Sequence, residues 1–209
     1  MSYHIIPVTS FAQNCSLLWC DETLQAALID PGGEANKLIQ AVEKRKLTLT
    51  KILLTHGHLD HVGATAAIAK HFGVDIIGPH QADQFWLDAL AEQGQMFGFG
   101  QTDSFKPDQW LKQGDEVNVG NICLDVRFCP GHTPGHIVFI DHLKHIAWVG
   151  DVLFNRSIGR TDFPQGNYEQ LIQSIREQLL TLEDNYVIIP GHGPSSTIGD
   201  ERSHNPFLR

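Results

Sequence analysis

Seven residues, Thr55-His56-Gly57-His58-Leu59-Asp60-His61, restrict the fold of this chain more than any other stretch. Three imidazoles and a carboxylate fall within the six positions from His56 to His61, a density that packing does not require. Imidazole nitrogen and carboxylate oxygen together are the ligand set of zinc and similar divalent ions. Ile52, Leu53 and Leu54, directly before the run, read as a short buried strand. The alanine-rich stretch from Val62 to Phe72 reads as a helix, with Ala64, Ala67, Ile68 and Phe72 on one face and Asp60 as its N-cap. The ligands are therefore expected at the carboxyl end of a strand, where sites in α/β sheets gather. Residues two apart in an extended segment point the same way, so His56 and His58 can close on one ion. Asp60 and His61, at the turn into the helix, aim elsewhere. The run reads as built for two adjacent metals.

The same context recurs three times downstream. Cys129-Pro130-Gly131-His132-Thr133-Pro134-Gly135-His136 follows an alternating stretch in which Ile122, Leu124, Val126 and Phe128 share a face. Gly150-Asp151 follows Ile146-Ala147-Trp148-Val149, and Pro190-Gly191-His192-Gly193 follows Val187-Ile188-Ile189. Each candidate ligand lies just past an expected strand, beside glycines that let the backbone turn tightly and approach an ion. Singly, His192 in a Gly-rich turn and Asp151 as a turn cap would carry little weight. Their repetition in one context carries more.

In this order, His-x-His-x-Asp-His, Gly-His132, Gly-Asp151 and Gly-His192 resemble the metallo-β-lactamase superfamily, over most of the chain. The resemblance implies an α/β fold, a four-layered αββα sandwich, in a single domain covering residues 1–209. It also implies two divalent metal ions: the first on His56, His58 and His132, the second on Asp60, His61 and His192, with Asp151 bridging. That uses five of the twelve histidines. Zinc suits these ligands, and iron or manganese also fit.

Within the superfamily, the chain is similar to short bacterial glyoxalase II, the hydroxyacylglutathione hydrolases. Thr55 to Gly63, Pro130 to His136, Gly159-Arg160-Thr161-Asp162-Phe163-Pro164-Gln165-Gly166 and the tail His204-Asn205-Pro206 carry that likeness. Asp151 stands near the point where the name-giving lactamases typically carry cysteine. Longer glyoxalase II enzymes have a C-terminal helical domain that grips glutathione, and no separate domain of that kind is expected here. The implied reaction is hydrolysis of S-D-lactoylglutathione to D-lactate and glutathione by a metal-bridging hydroxide. In it, Asp60 and Asp151 act as catalytic anionic ligands, neither as the sole general base. Three alternatives stay open. A mononuclear iron persulfide dioxygenase would use His56, His132 and Asp151. A lactonase or phosphodiesterase would use the same dinuclear site. A non-catalytic module would bind metal only structurally. The motif around His192 favours two metals.

Charge narrows the partners. A formal net charge of −9 is a poor footprint for nucleic acid. It also gives no long-range attraction for an anionic thioester, so any attraction must be local. Arg160, in the Gly-rich segment after Asp151, is the first candidate for substrate binding, and Arg156 the second. No apolar run is long enough to span a bilayer, and the start lacks the pattern of a signal peptide, so the protein reads as cytoplasmic, without a membrane or nucleic-acid partner. Oligomeric state is not legible. Cys15, Cys20, Cys123 and Cys129 lack CxxC spacing. Cys15 reads as buried filler, and Cys129 lies nearer the site but is not needed as nucleophile. Asp30 is expected to accept the free N–H of a ligating imidazole, and His136 to support the site without ligating. His4, His71, His80, His142, His145 and His204 lack a ligand-like context.

Periodicity places strands at 3–8, 14–19, 24–29, 115–129, 136–141, 145–150 and 186–189. Helices are expected at 34–46, with Ala35, Leu38, Ile39 and Val42 inside, and at 80–92. A last helix should run from an Asn167 cap to about 182, with Gln170 three places on and Leu171, Ile175, Leu179 and Leu182 inside.

Overall fold

Neighbouring residues on the central strands are buried on opposite faces, which requires cover on both sides of each sheet. The computed structural model describes residues 1–99 and 102–209. Strands β1 (Ser2–Val8), β2 (Gln13–Trp19), β3 (Gln25–Ile29), β4 (Thr48–Leu53) and β5 (Asp75–Ile77) form one sheet in that order. It is antiparallel as far as β3 and parallel beyond. Next come β6 (Glu116–Val119), β7 (Ile122–Phe128), β8 (Ile137–Asp141) and β9 (Ile146–Gly150), and a small hairpin of β10 (Leu153–Phe154) and β11 (Ser157–Ile158). With β12 (Val187–Pro190) and β13 (Ser196–Thr197), a second sheet has the order β13-β12-β9-β8-β7-β6.

Three apolar cores separate four layers. Leu17, Leu28 and Ile52 of the first sheet pack on Leu38 and Val42 of helix α1 (Ala35–Lys44), and on Ile68 beyond it. The opposite face of that sheet, with Leu18, Ala27, Ile29 and Leu53, meets Leu124, Val126, Phe139 and Trp148 of the second. The outer face of the second sheet, with Val138, Ile140, Ala147 and Val149, is covered by Leu171, Ile175, Leu179 and Ile198. The order helix, sheet, sheet, helix is the four-layered αββα sandwich expected from the sequence, and no helix among the described residues is long and apolar enough to cross a membrane.

Several local expectations change. The stretch after His58 is two pieces, α2 (Leu59–Val62) and α3 (Thr65–Phe72). His58, not Asp60, holds the N-cap position of α2, and Asp60 lies in its first turn with its carboxylate 3.1 Å from His192 Nε2. Ala67 faces outward rather than sharing the buried face of Ile68. The 80–92 segment is a single 3₁₀ turn at Gln81–Asp83, then α4 (Gln84–Asp88) and α5 (Leu90–Phe97). The strand expected over 115–129 breaks into the β6–β7 hairpin, turning at Gly120 in the left-handed region, φ 56°. Helix α6 (Tyr168–Ser174) is capped by Asn167, whose side chain accepts the Gln170 N–H. It then widens into a π-helical turn over Ile175–Leu179, yet all four residues expected inside are buried. Helix α7 (Ile198–His204) closes the fold. Cys15 is buried as expected, and all four cysteines are free.

Cores packed at this density resist truncation. Phe139 has 0% exposure between the sheets, so Phe139→Ala is expected to cost about 3–5 kcal/mol of unfolding free energy. Leu143→Ala, at a side chain 88% exposed, should stay within about 0.5 kcal/mol of the unaltered protein in the same denaturant titration.

Candidate metal centre

Strands β3 and β4 run parallel and end side by side, with Ile29 opposite Leu53. Their ends bring Asp30 against Thr55: Asp30 Oδ1 accepts the Thr55 N–H at 2.7 Å, and Oδ2 accepts the Thr55 hydroxyl. The hydroxyl proton is thus committed, so His56 Nδ1 donates to Thr55 Oγ1 at 3.0 Å and leaves Nε2 as a bare lone pair. Asp30 Oδ2 also lies 2.9 Å from His61 Nδ1, fixing that ring with Nε2 inward. His132 Nδ1 donates to the Arg160 carbonyl at 2.7 Å, and His192 Nδ1 to the Phe11 carbonyl at 3.1 Å. In four rings the outer nitrogen is held and the inner one faces the others.

These inner atoms form two groups. Ligand atoms of His56, His58 and His132 lie within 4.8 Å of one another, as do those of Asp60, His61 and His192. His58 Nδ1 and His132 Nε2 are 3.0 Å apart, and the Nε2 atoms of His61 and His192 are 3.3 Å apart. Asp151 reaches both groups: Oδ1 is 3.3 Å from His61 Nε2, and Oδ2 is 3.7 Å from Nε2 of both His132 and His192. A third grouping, Asp30 with His56 and His61, meets the same distance limit. There, however, both Asp30 oxygens are already taken by Thr55 and His61, so we read Asp30 as a holder of ligands.

The donor set fits cations. His56 Nε2 and Asp151 Oδ1 are buried without a hydrogen-bond partner among the described residues. Facing imidazole lone pairs repel unless a positive charge lies between them. Burial, reinforced by the neighbouring imidazoles, drives His56 well below its ordinary value. Burial and the His132 charge take His58 to about 3. Burial also lowers His132, against the pull of Asp151. The first group is therefore neutral, the form that ligates. In the second, burial also works against the charged form of His61, but Asp151, Asp60 and Asp30 outweigh it and hold the ring well above its ordinary value. For Asp151 burial opposes ionisation, yet His61 and the other imidazoles keep it far below the carboxylate range.

Residues outside the two groups take other places. His136 Nε2 accepts the Asp151 N–H at 3.0 Å while its ring stacks on His56 at 4.6 Å, so it aims Asp151. A Cβ on Gly191 would collide with Asp151 Oδ1 and His61 Cε1, which accounts for glycine before His192. The exposed Arg160 side chain closes on Asp162 at 2.9 and 2.7 Å and lies 4.7 Å over the Phe163 ring. Arg156, in the β10–β11 turn, pairs with Asp200 of α7 at 2.9 Å. Cys129 is fully buried in the third core, and burial pushes its thiol far up. Trp86 and Phe163 pack 4.5 and 4.8 Å from the His58 ring, and Phe11 stacks on Phe99 at 5.6 Å beside His192.

Sequence reasoning passed over these aromatics and Asp83. Fully buried, Asp83 is pushed up to about 6 by burial, against hydrogen bonds from Thr133, Gly57 and Gly135. No spacing signal marks it, because it sits in the 80–92 stretch, which reads only as a helix.

The protein-family model described as Metallo-beta-lactamase superfamily matches residues 8–192. The chain is 54% identical to "Hydroxyacylglutathione hydrolase GloC" of Haemophilus influenzae, over 100% of this chain and 98% of that one. Among solved structures, "BLEG-1 B3 metallo-beta-lactamase" superposes with a TM-score of 0.91 at 35% identity, covering 99% of each chain. "TTHA1623 in a di-iron-bound form" gives 0.89 at 32% identity, covering 98% of this chain and 100% of that one.

Two groups sharing Asp151 predict two divalent ions per chain by elemental analysis of the purified protein. Asp151→Ala is expected to bring that count toward one while the fold persists by circular dichroism. An unchanged count would contradict the shared position of Asp151.

Proposed function

The chain belongs to the metallo-beta-lactamase superfamily, and on that premise we propose that it hydrolyses glutathione thioesters at a two-metal centre. The substrate assigned is S-D-lactoylglutathione, yielding D-lactate and glutathione. The observation that carries the reading is Asp151, an anionic side chain within 3.7 Å of a ligand atom in each group. Full-length similarity to a protein named as a hydroxyacylglutathione hydrolase supports the choice of thioester.

His56, His58 and His132 would hold one ion, and Asp60, His61 and His192 the other, with Asp151 between. Zinc is the proposed metal, and the nitrogen and carboxylate donors also accept iron or manganese. Bound ions supply a coordinated water of lowered pKa and polarise the thioester carbonyl. Asp60 and Asp151, the catalytic carboxylates, offset the cationic charge at the reacting space, and neither serves as sole base. His136 and Asp30 keep Asp151 and His61 aimed through the bonds described above. In the net reaction water adds to the carbonyl carbon, the C–S bond breaks, and the protons end on the thiol and the acid. Cys129 has no part in it.

Substrate binding falls first to Arg160, beside the site through its own carbonyl, and second to Arg156. A glutathione carboxylate would have to displace Asp162 from Arg160, or Asp200 from Arg156. With a net charge of −9, recognition is local rather than steered from a distance. A mononuclear iron persulfide dioxygenase on His56, His132 and Asp151 would leave the complete group of Asp60, His61 and His192 without a task, which favours hydrolysis.

The test is a substrate panel on metal-loaded protein: S-D-lactoylglutathione, a lactone, a phosphodiester, and glutathione persulfide with oxygen uptake recorded. Thioester turnover is expected to dominate; oxygen uptake, or turnover of another class alone, would overturn the assignment. Arg160→Ala is expected to raise KM roughly tenfold with kcat little changed, the pattern of lost ground-state binding.

A further inference from the structure

Asp83 is a buried carboxylate that the proposed chemistry leaves without a role. Its exposure is 0%, and among the described residues no cation pairs with it. Its partners lie on two loops from different sheets. Oδ2 accepts the Gly57 N–H at 2.9 Å and the Thr133 hydroxyl at 2.8 Å, while Oδ1 accepts the Gly135 N–H at 2.6 Å. Gly57 lies between His56 and His58, and Thr133 directly follows His132. A Cβ on Gly57 would sit 2.8 Å from Trp86 Cβ, and one on Gly135 would sit 2.6 Å from Asp83 Oδ1. Both glycines therefore leave room for the 83–86 segment to close onto the loops. Trp86, one helical turn on, packs edge-on against the His58 ring.

We propose that Asp83 is a positioning residue for the His56, His58 and His132 group: it joins their two loops into one cradle and sets the affinity of that position, not of the Asp60, His61 and His192 position. Two backbone N–H groups, one on each oxygen, and a hydroxyl face the carboxylate, so an amide in either orientation would turn an N–H against a backbone N–H. This inference rests on the two-metal reading but not on the substrate, so thioester turnover is measured separately.

The experiment measures Zn²⁺ affinity by chelator competition, with stoichiometry by elemental analysis, in otherwise unaltered full-length protein. Asp83→Asn is expected to weaken one of the two ions about 10–100-fold, the usual scale for partners that orient ligands. In a His192→Ala background the loss should persist, and in a His58→Ala background Asp83→Asn should add nothing. Thr133→Val removes a single donor and should give a smaller loss of the same selectivity; it carries the test if Asp83→Asn fails to fold. Glu201→Gln is the control, since that buried carboxylate is bonded by Ser196, Asn205 and the Arg156 N–H, away from both loops. It should lower thermal stability with zinc affinity intact. Unchanged affinity in both Asp83→Asn and Thr133→Val, or equal weakening of both ions, would overturn the proposal. Two ions lost from the unaltered protein would instead sink the metal reading itself.

Discussion

The arrangement depends on imidazole nitrogens forced to face one another. Each of four rings is tethered by its outer nitrogen: His56 to Thr55, His61 to Asp30, His132 to the Arg160 carbonyl and His192 to the Phe11 carbonyl. In His56 and His132 the tethers leave an inner lone pair in a buried space, while His61 and His192 turn Nε2 toward the Asp151 and Asp60 carboxylates. Ring nitrogens only 3.0 and 3.3 Å apart crowd a space lined by ligand atoms, the setting a cation fits. Preorganising them is work done by folding, so an entering ion meets little cost of ordering. In the proposed two-metal centre, Asp151 and Asp60 would offset part of the cationic charge.

The fold explains why the tethers converge. Parallel β3 and β4 end at the same level, which sets Asp30 beside Thr55. Parallel β9 and β12 end together in the other sheet, and the Gly191 N–H donates to the Gly150 carbonyl, so Asp151 and His192 arrive as neighbours. The Ile137 N–H donates to the Thr55 carbonyl and links the two sheets at the same rim. The centre is thus a seam between sheet ends, and the inter-sheet core beneath it is what keeps the seam closed.

Much of this was legible in the chain. Paired burial on both faces of the strands follows from runs such as Ile52-Leu53-Leu54, and the context of glycine after a strand marked His132, Asp151 and His192. What failed was local. Spacing placed Asp60 as a cap, but its carboxylate is drawn to His192, and helix α2 starts from His58 instead. The glycines beside His132, Asp151 and His192 read as room for the backbone to approach an ion. Gly191 does border Asp151, but Gly135 makes room for Asp83, and Gly57, in the first motif, makes room for Trp86 and Asp83. Asp83 itself was invisible, because burial of a lone acid is decided by donors from loops distant in sequence. Arg156 and Arg160 could be picked out as cations, yet their pairing with Asp200 and Asp162 depends on tertiary placement.

The most direct test of the central claim is anomalous diffraction from zinc-loaded crystals at the metal edge. The account predicts two peaks per chain, one enclosed by His56, His58 and His132, the other by Asp60, His61 and His192, with the Asp151 carboxylate between them. A single peak, or density lying against Asp30 instead, would contradict it.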